Sequence, residues 1–125
     1  QDDTHELLEQ LEEQGFLSCT VLRHKKNMGV AASYAKAWKH CKHPYVLLLH
    51  NDCLLEEGAL AAMCSVLDAH PDVSIVGPRM NTAHLAKQIG KAREDEGKGW
   101  ERIDYVDGAC MLIRASSGIQ PDEQF

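Results

Sequence analysis

The sequence predicts an α/β fold, in which helices pack on a mainly parallel β-sheet. Segments with helical spacing alternate with short apolar segments, in the order helix, strand, helix, strand, helix, strand, long loop, strand. A second observation is the run of five apolar residues at 45–49, which is typical of a strand buried on both faces of a parallel sheet. The 125 residues suffice for one core, so we assign residues 1–125 to a single domain.

The first 41 residues contain three predicted elements. A helix is predicted over 4–14, where leucines recur at helical spacing and a glycine follows. A strand is predicted over 16–23, because β-branched residues lie in its middle. The polar turn 24–29 then leads into a second helix over 30–41, whose alanines allow close packing on a sheet.

The rest of the chain begins with the strand 45–49. A third helix is predicted over 57–70 and a short strand over 73–77, which a Gly-Pro pair closes. Residues 79–103 are rich in Lys, Glu and Gly, which is typical of a solvated loop. Strand character returns over 105–114, before a polar tail.

Composition excludes several classes of protein. The apolar fraction of 44% and the charged fraction of 26% are those of a soluble globular domain, and no apolar segment is long enough to span a membrane. A net charge of -6 argues against nucleic-acid binding, which requires a basic surface. The five cysteines form no CxxC pair and lie mostly near apolar segments, so we expect reduced, buried thiols in a cytoplasmic protein, with the inner face of the membrane as an alternative location.

Polar side chains that suit a metal ion follow the strand 45–49. His50, Asn51 and Asp52 lie at its carboxyl end, where ligands bind in open α/β sheets. Magnesium and manganese take carboxylate oxygens and keep positions free for phosphate. The alternative is that Asp52 only begins the next turn. A zinc site built from the nearby His and Cys residues is disfavoured, because the strand separates them by roughly 15–20 Å.

Two further motifs carry possible chemistry. Asn27 and Gly29 precede a helix start, and helix N-termini favour phosphates; the alternative is a turn glycine with positive φ. Asp122 and Glu123 could supply a general base, with an exposed acidic tail as the alternative.

Five segments of the chain form an ordered series, with His50-Asn51-Asp52 as a DxD-type triplet in the second. They are Asn27–Ala35, Tyr45–Leu60, Val76–Arg79, Val106–Arg114 and Gly118–Phe125. Together they resemble the family-2 glycosyltransferases, especially the rhamnosyltransferase-like branch. His50 stands where that family has Asp or Asn in the triplet.

The resemblance implies a three-layer α/β/α GT-A fold, the Rossmann-like fold of nucleotide-diphospho-sugar transferases. It also implies that the first β-α-β portion of the family's domain is missing from this sequence, since Asp2 and Asp3 resemble the end of a loop that follows it. We therefore expect a partial GT-A domain.

The resemblance further implies an inverting transferase that moves a sugar from a nucleotide-sugar donor to a hydroxyl of a saccharide, lipid-linked or other acceptor. It implies Mn²⁺ or Mg²⁺ as cofactor, held by Asp52 with His50, and Asp122 as the catalytic base with Glu123 as the second choice. Donor binding is implied for a wider set of residues: Asn27, Gly29, Asn51, Asp52, Gly108 and Ala109.

Two alternatives stay open. The chain could be a catalytically silent GT-A fragment or an interaction module, folding only within a longer protein or a homo-oligomer. A nucleotidyltransferase of related fold is the third interpretation, and it requires a Gly-rich basic loop after the first strand. An apolar strand followed by Asp-x-Ser upstream of Gln1 would favour the transferase.

Overall fold

A computed structural model describes residues 3–14, 20–78, 99, 102 and 106–122. These residues contain three α-helices, three strands and one short 3₁₀-helix. In chain order they are α1 (Thr4–Gln14), α2 (Val30–Trp38), β1 (Tyr45–Leu49), α3 (Ala59–Ala69), β2 (Ile75–Val76), β3 (Cys110–Arg114) and the 3₁₀-helix Ala115–Ser117.

The helices and β1 follow the sequence closely. The bounds of α1 and β1 are the predicted ones, whereas α2 and α3 are shorter than predicted. At the end of α2, the N–H groups of Lys39 and His40 both donate to the carbonyl of Ala37, which tightens the last turn and ends the helix. At the start of α3, Gly58 has a φ of 80° and acts as the N-cap, so the helix cannot begin at residue 57.

The predicted strands outside β1 are too long or absent. β2 and β3 cover only parts of 73–77 and 105–114. The predicted strand over 16–23 is wrong for residues 20–23, which form no strand; its first residues lie outside the described part. β-Branched residues favour extended backbone, but a strand also needs a hydrogen-bonded neighbour.

The sheet has the order β1-β3-β2, and both of its pairings are antiparallel. In the register, Leu49 pairs with Cys110 and Tyr45 with Arg114. β1 and β2 therefore run in the same direction, as expected for two strands joined by a helix, but they are not neighbours. Because β3 lies between them in the opposite direction, the described sheet is not the mainly parallel one that we predicted.

Helices cover both faces of this sheet. On one face, α2 contributes Tyr34 and Trp38 to a cluster with buried Val46, Leu48 and Ile113. On the other, Met63 and Leu67 of α3 pack with buried Cys110 and Leu112. Alternate residues of β1 and β3 point to opposite clusters, as the period of a strand requires. The result is a layer order of α2, sheet and α3.

Arg114 joins the end of β3 to the end of α3. Its guanidinium donates to the carbonyl oxygens of Val73, Leu67 and His70, and lies 5.6 Å from the centre of the Tyr45 ring. The last carbonyls of a helix lack partners within the helix, and the helix dipole favours a cation there. Arg114 therefore connects the layers at the sheet edge opposite His50.

The described cysteines are all free thiols, but they are not all buried. Cys110 is buried, and burial together with the nearby Cys53 raises the pKa of its thiol. Cys41 is exposed just beyond α2, so the expectation of buried thiols is wrong at this position. Cys19 lies outside the described residues. No described helix is long and apolar enough to cross a membrane.

Candidate functional site

The candidate site lies at the sheet edge where β1 ends and β3 begins. The backbone N–H of His50 donates to the carbonyl of Ala109, at 2.9 Å. The N–H of Ala109 in turn donates to the Asp107 carboxylate, at 2.7 Å. This Asx turn shapes the segment before β3. Two segments that are distant in sequence, and that both carry predicted site residues, are thereby fixed side by side.

The turn after β1 places an imidazole beside a carboxylate. The Nδ1 atom of His50 lies 3.8 Å from an Asp52 carboxylate oxygen, and the two side chains are 38% and 79% exposed. The N–H of Cys53 donates to the His50 carbonyl and closes the turn. Asp52 is therefore reachable by a ligand from solvent.

This pair fits part of a divalent-cation shell. Metal–ligand distances of about 2.1 Å allow two atoms 3.8 Å apart to contact one ion. No group of three His, Cys, Asp or Glu side chains in the described part of the chain could hold a metal ion. His50 and Asp52 offer one imidazole nitrogen and one carboxylate group, so a divalent cation held by them would need its other ligands from phosphate or water.

A cleft of about 370 Å³ opens between α2, the sheet and the segment 119–122. Among its lining residues are three of the predicted site residues, His50, Gly108 and Asp122. Most of the other walls are apolar. They are formed by Val30, Ala31, Tyr34, Leu48, Ile75, Met111, Ile113, Ile119 and Pro121, and Gln120 adds an amide.

The remaining predicted residues lie outside the lining of this cleft. Asn51 and Asp52 are exposed in the turn after His50, and Ala109 contributes its backbone to the hydrogen bonds that hold that turn. Glu123 falls outside the described residues. The structure therefore brings Asp122 and His50 to one cleft, with Asp52 two residues beyond His50.

The turn before α2 is built by its own residues. The Asn27 side-chain oxygen accepts the N–H of Gly29 at 2.9 Å, an Asx turn. Gly29 has φ 81° and ψ 170°, a conformation that is essentially limited to glycine. These two residues shape the start of α2, and Val30 and Ala31 directly after them line the cleft.

Two residues at the candidate site were not predicted from the sequence, namely Asp107 and Tyr34. Asp107 orders the segment before β3, and the Asp-Gly pair it forms with Gly108 is a recognisable turn signal. Tyr34 lines the cleft and makes an edge contact with His50, with ring centres 6.2 Å apart. In the sequence, Tyr34 follows Ala31 by three residues and Val30 by four. This helical spacing places it on the same face of α2 as those two cleft residues.

The environment of Tyr34 disfavours ionisation of its hydroxyl. Burial, and after it the nearby Cys53 and Asp52, raise the pKa of the phenol above its ordinary value of 10.0. A neutral phenol can donate a hydrogen bond to an anionic ligand. The cleft therefore contains a proton-bearing hydroxyl close to the Asp52 turn.

The chain was compared with known protein families, curated proteins and solved structures. The profile of glycosyl transferase family 2 matches residues 1–117. No curated protein and no solved structure matches the chain. The matched residues include the turn before α2, the His50–Asp52 turn and the segment 107–109, whereas Asp122 lies beyond them.

Proposed function

Because the chain belongs to glycosyl transferase family 2, we propose that it transfers a sugar from a nucleotide-sugar donor to an acceptor hydroxyl, with inversion at the anomeric carbon. The observation that carries this proposal is the shared cleft, which has both His50 and Asp122 among its lining residues. A transferase must hold a diphosphate leaving group and deprotonate an acceptor, and these are the two kinds of side chain it needs.

The donor diphosphate is assigned to the edge formed by His50, Asn51 and Asp52. Asp52 and His50 would hold Mn²⁺ or Mg²⁺, which neutralises the negative charge that develops on a departing diphosphate. Asn27 and Gly29 shape the neighbouring start of α2 through their turn. Gly108 leaves space beside the cleft, since a Cβ built on it meets no atom within 4 Å.

Asp122 is assigned as the base that takes the proton of the acceptor hydroxyl. With inversion, the acceptor attacks the face of the sugar opposite the leaving group, by analogy with inverting glycosidases. The base and the diphosphate site must then face each other across the sugar. A cleft with Asp122 and His50 among its lining residues is consistent with that requirement.

The walls of the cleft favour one kind of acceptor among those considered. Sugar hydroxyls that leave water require hydrogen-bond partners, and the aliphatic residues around the cleft supply none. An acceptor with an apolar portion beside its hydroxyl, such as a lipid-linked one, suits these walls better than a free saccharide. Comparing the two classes as acceptors tests this preference directly.

A catalytically silent domain is the second candidate. The observation in its favour is that Asp122 lies outside the residues that match the family. A silent domain would still bind a nucleotide diphosphate at the Asp52 edge, but it would show no turnover. Measuring turnover separately from binding therefore separates the two candidates.

The proposed role of Asp52 is tested by donor binding. Asp52→Ala should abolish the manganese-dependent part of the affinity for nucleotide sugars, measured by calorimetry across a panel of donors. Asp72→Ala is the matched control, because it removes the same charge from a turn that follows α3, away from the cleft. Unchanged manganese-dependent affinity in Asp52→Ala would rule out this role.

A further inference from the structure

Tyr34 contacts both the hydrophobic core and His50, one of the two candidate metal ligands. Its ring packs against the cluster of Val46, Leu48 and Ile113, and it also lines the cleft. From there it meets the His50 ring edge-on, with an interplanar angle of 62° and a centre separation of 6.2 Å. Separations of about 4.5–7 Å in such T-shaped arrangements are favourable for aromatic rings.

The contact matters because His50 lies just past the end of β1 and is partly exposed. An imidazole in such a turn can rotate about two side-chain bonds, and its Nδ1 atom faces Asp52 only in some of these orientations. The backbone of His50 is fixed by its bond to Ala109, but that bond does not set the ring orientation. A neighbouring ring anchored in the core can set it.

We propose that Tyr34 is a positioning residue, whose ring holds the His50 imidazole in the orientation that places Nδ1 beside Asp52. This inference rests on the proposed function, in which His50 and Asp52 hold the cation that accompanies the donor diphosphate. The aromatic ring of Tyr34 carries the effect, because the ring is the part that contacts His50. The hydroxyl is not required for it.

Residues that orient a metal ligand affect metal affinity without touching the metal. A purely structural role for Tyr34 would instead lower stability and leave the metal site unchanged. Trp38 provides the matched comparison, because it lies one turn further along α2 and packs on the same cluster, but it is not among the residues that line the cleft. Loss of Trp38 therefore reproduces the packing defect alone.

The experiment follows the His50 imidazole by NMR in the full 125-residue chain, with Mn²⁺ alone as the probe. The His50 resonances are assigned by comparison with His50→Gln. Paramagnetic broadening of these resonances is titrated in the wild type, Tyr34→Phe, Tyr34→Leu and Trp38→Leu. The other histidines serve as internal references, and circular dichroism reports folding.

We expect Tyr34→Leu to shift the His50 resonances and to require about three- to tenfold more Mn²⁺ for half-broadening, the range that an aromatic contact supports. Tyr34→Phe keeps the ring and should stay within about twofold of the wild type, since the hydroxyl is dispensable. Trp38→Leu should lose stability with no change in the Mn²⁺ midpoint.

Two results would overturn the inference. One is an unchanged His50 spectrum and Mn²⁺ midpoint in Tyr34→Leu, and the other is an equal loss of Mn²⁺ affinity in Trp38→Leu. If Tyr34→Leu does not fold, the contact is tested in the wild type by the NOE between the Tyr34 and His50 rings. Absence of this NOE would overturn the inference. Wild-type His50 resonances that Mn²⁺ leaves sharp would instead reject the proposed metal role itself.

Discussion

At the scale of single residues, two glycines near the site meet different physical demands. Gly29 has a φ of 81°, so its role is in the backbone, and a Cβ would meet no neighbour. Gly77 has an ordinary φ, but a Cβ there would lie 2.3 Å from a methyl carbon of Val106. One glycine allows a turn, and the other allows two segments to approach closely.

Gly29→Ala should lower the free energy of unfolding by about 1–3 kcal/mol, the cost of forcing a side-chain-bearing residue into this backbone conformation. Urea denaturation measures the change. Gly108→Ala is the control, because Gly108 has no left-handed φ and its Cβ would enter open space. Equal stability of Gly29→Ala and the wild type would contradict the strain argument.

Gly108 allows a separate test of the cleft. Gly108→Leu should fill space that the sugar is proposed to occupy, and so reduce turnover while the midpoint of urea unfolding stays close to that of the wild type. The reason is the open space around this position and its place on the cleft. Full turnover in a folded Gly108→Leu protein would move the sugar site elsewhere.

The sequence identifies some of these residues better than others. His50, Gly108 and Asp122 were all candidates, and all three line one cleft. Tyr34 was missed as a site residue because its helical spacing describes a core-facing residue equally well, and its second contact is with a residue of a different element. Local patterns identify which face of a helix is buried, but not what lies beside its edge.

At the scale of elements, the end of α3 depends on Arg114. The guanidinium satisfies the carbonyls of Leu67 and His70, which are at or near the C-terminus of the helix, and also reaches Val73 before β2. One side chain of β3 thus holds the helix and the β2 side of the sheet together. Arg114 lies at the opposite end of β3 from Gly108 and pairs with Tyr45 at the start of β1.

Arg114→Ala should destabilise the protein by about 1.5–3 kcal/mol, the usual cost of losing hydrogen bonds from a charged donor. The stability of Arg114→Lys should lie between that of the wild type and that of Arg114→Ala. Lysine keeps a cation at the helix end but cannot reproduce the planar, forked hydrogen bonding of the guanidinium. Arg102→Ala is the control, since its ion pair with Asp72 is exposed and contributes little. An Arg114→Ala protein with wild-type stability would contradict this assignment.

The Tyr45 hydroxyl, in the same region, makes the free energy of unfolding depend on pH. It donates to the Asp68 carboxylate, and this hydrogen bond raises the pKa of the phenol above 10.0. Because the folded-state pKa is the higher one, the stabilisation is complete below the unfolded-state pKa and is lost as the pH rises through the folded-state pKa.

The stability difference between wild type and Tyr45→Phe tests this sign. Unfolding in urea should show the largest wild-type advantage near neutral pH, and the advantage should shrink above about pH 10, where the unfolded-state phenol ionises. The comparison with Tyr45→Phe removes contributions from the other groups that titrate in the same range. A wild-type advantage that grows above that pH would contradict the direction of the shift.

The elements were predictable where the signal is local. The leucine spacing of α1 and the apolar run of β1 gave the observed bounds. Strand pairing is not local: β3 inserts between β1 and β2 after a separation of more than thirty residues, and no pattern within 105–114 identifies its partners. The same limit explains why residues 20–23 are not a strand despite their β-branched side chains.

At the scale of the whole molecule, the proposed site and the Arg114 contacts lie at opposite ends of the sheet. The His50 turn and the start of β3 form one edge, and Arg114 with the end of α3 forms the other. Substitutions at Asp52, Gly108 and Asp122 can therefore be tested for activity while the Arg114 contacts stay in place. This separation is also what makes the central claim measurable.

The central claim is that Asp122 acts as the base opposite the donor site. The most direct test measures turnover and donor affinity of Asp122→Asn side by side, with the nucleotide sugar that binds best. We predict that turnover falls by about 10²–10⁴-fold, the usual contribution of a positioned base, while the donor Kd stays within about twofold. Undiminished turnover, or a loss of donor affinity that parallels the loss of turnover, would contradict the account.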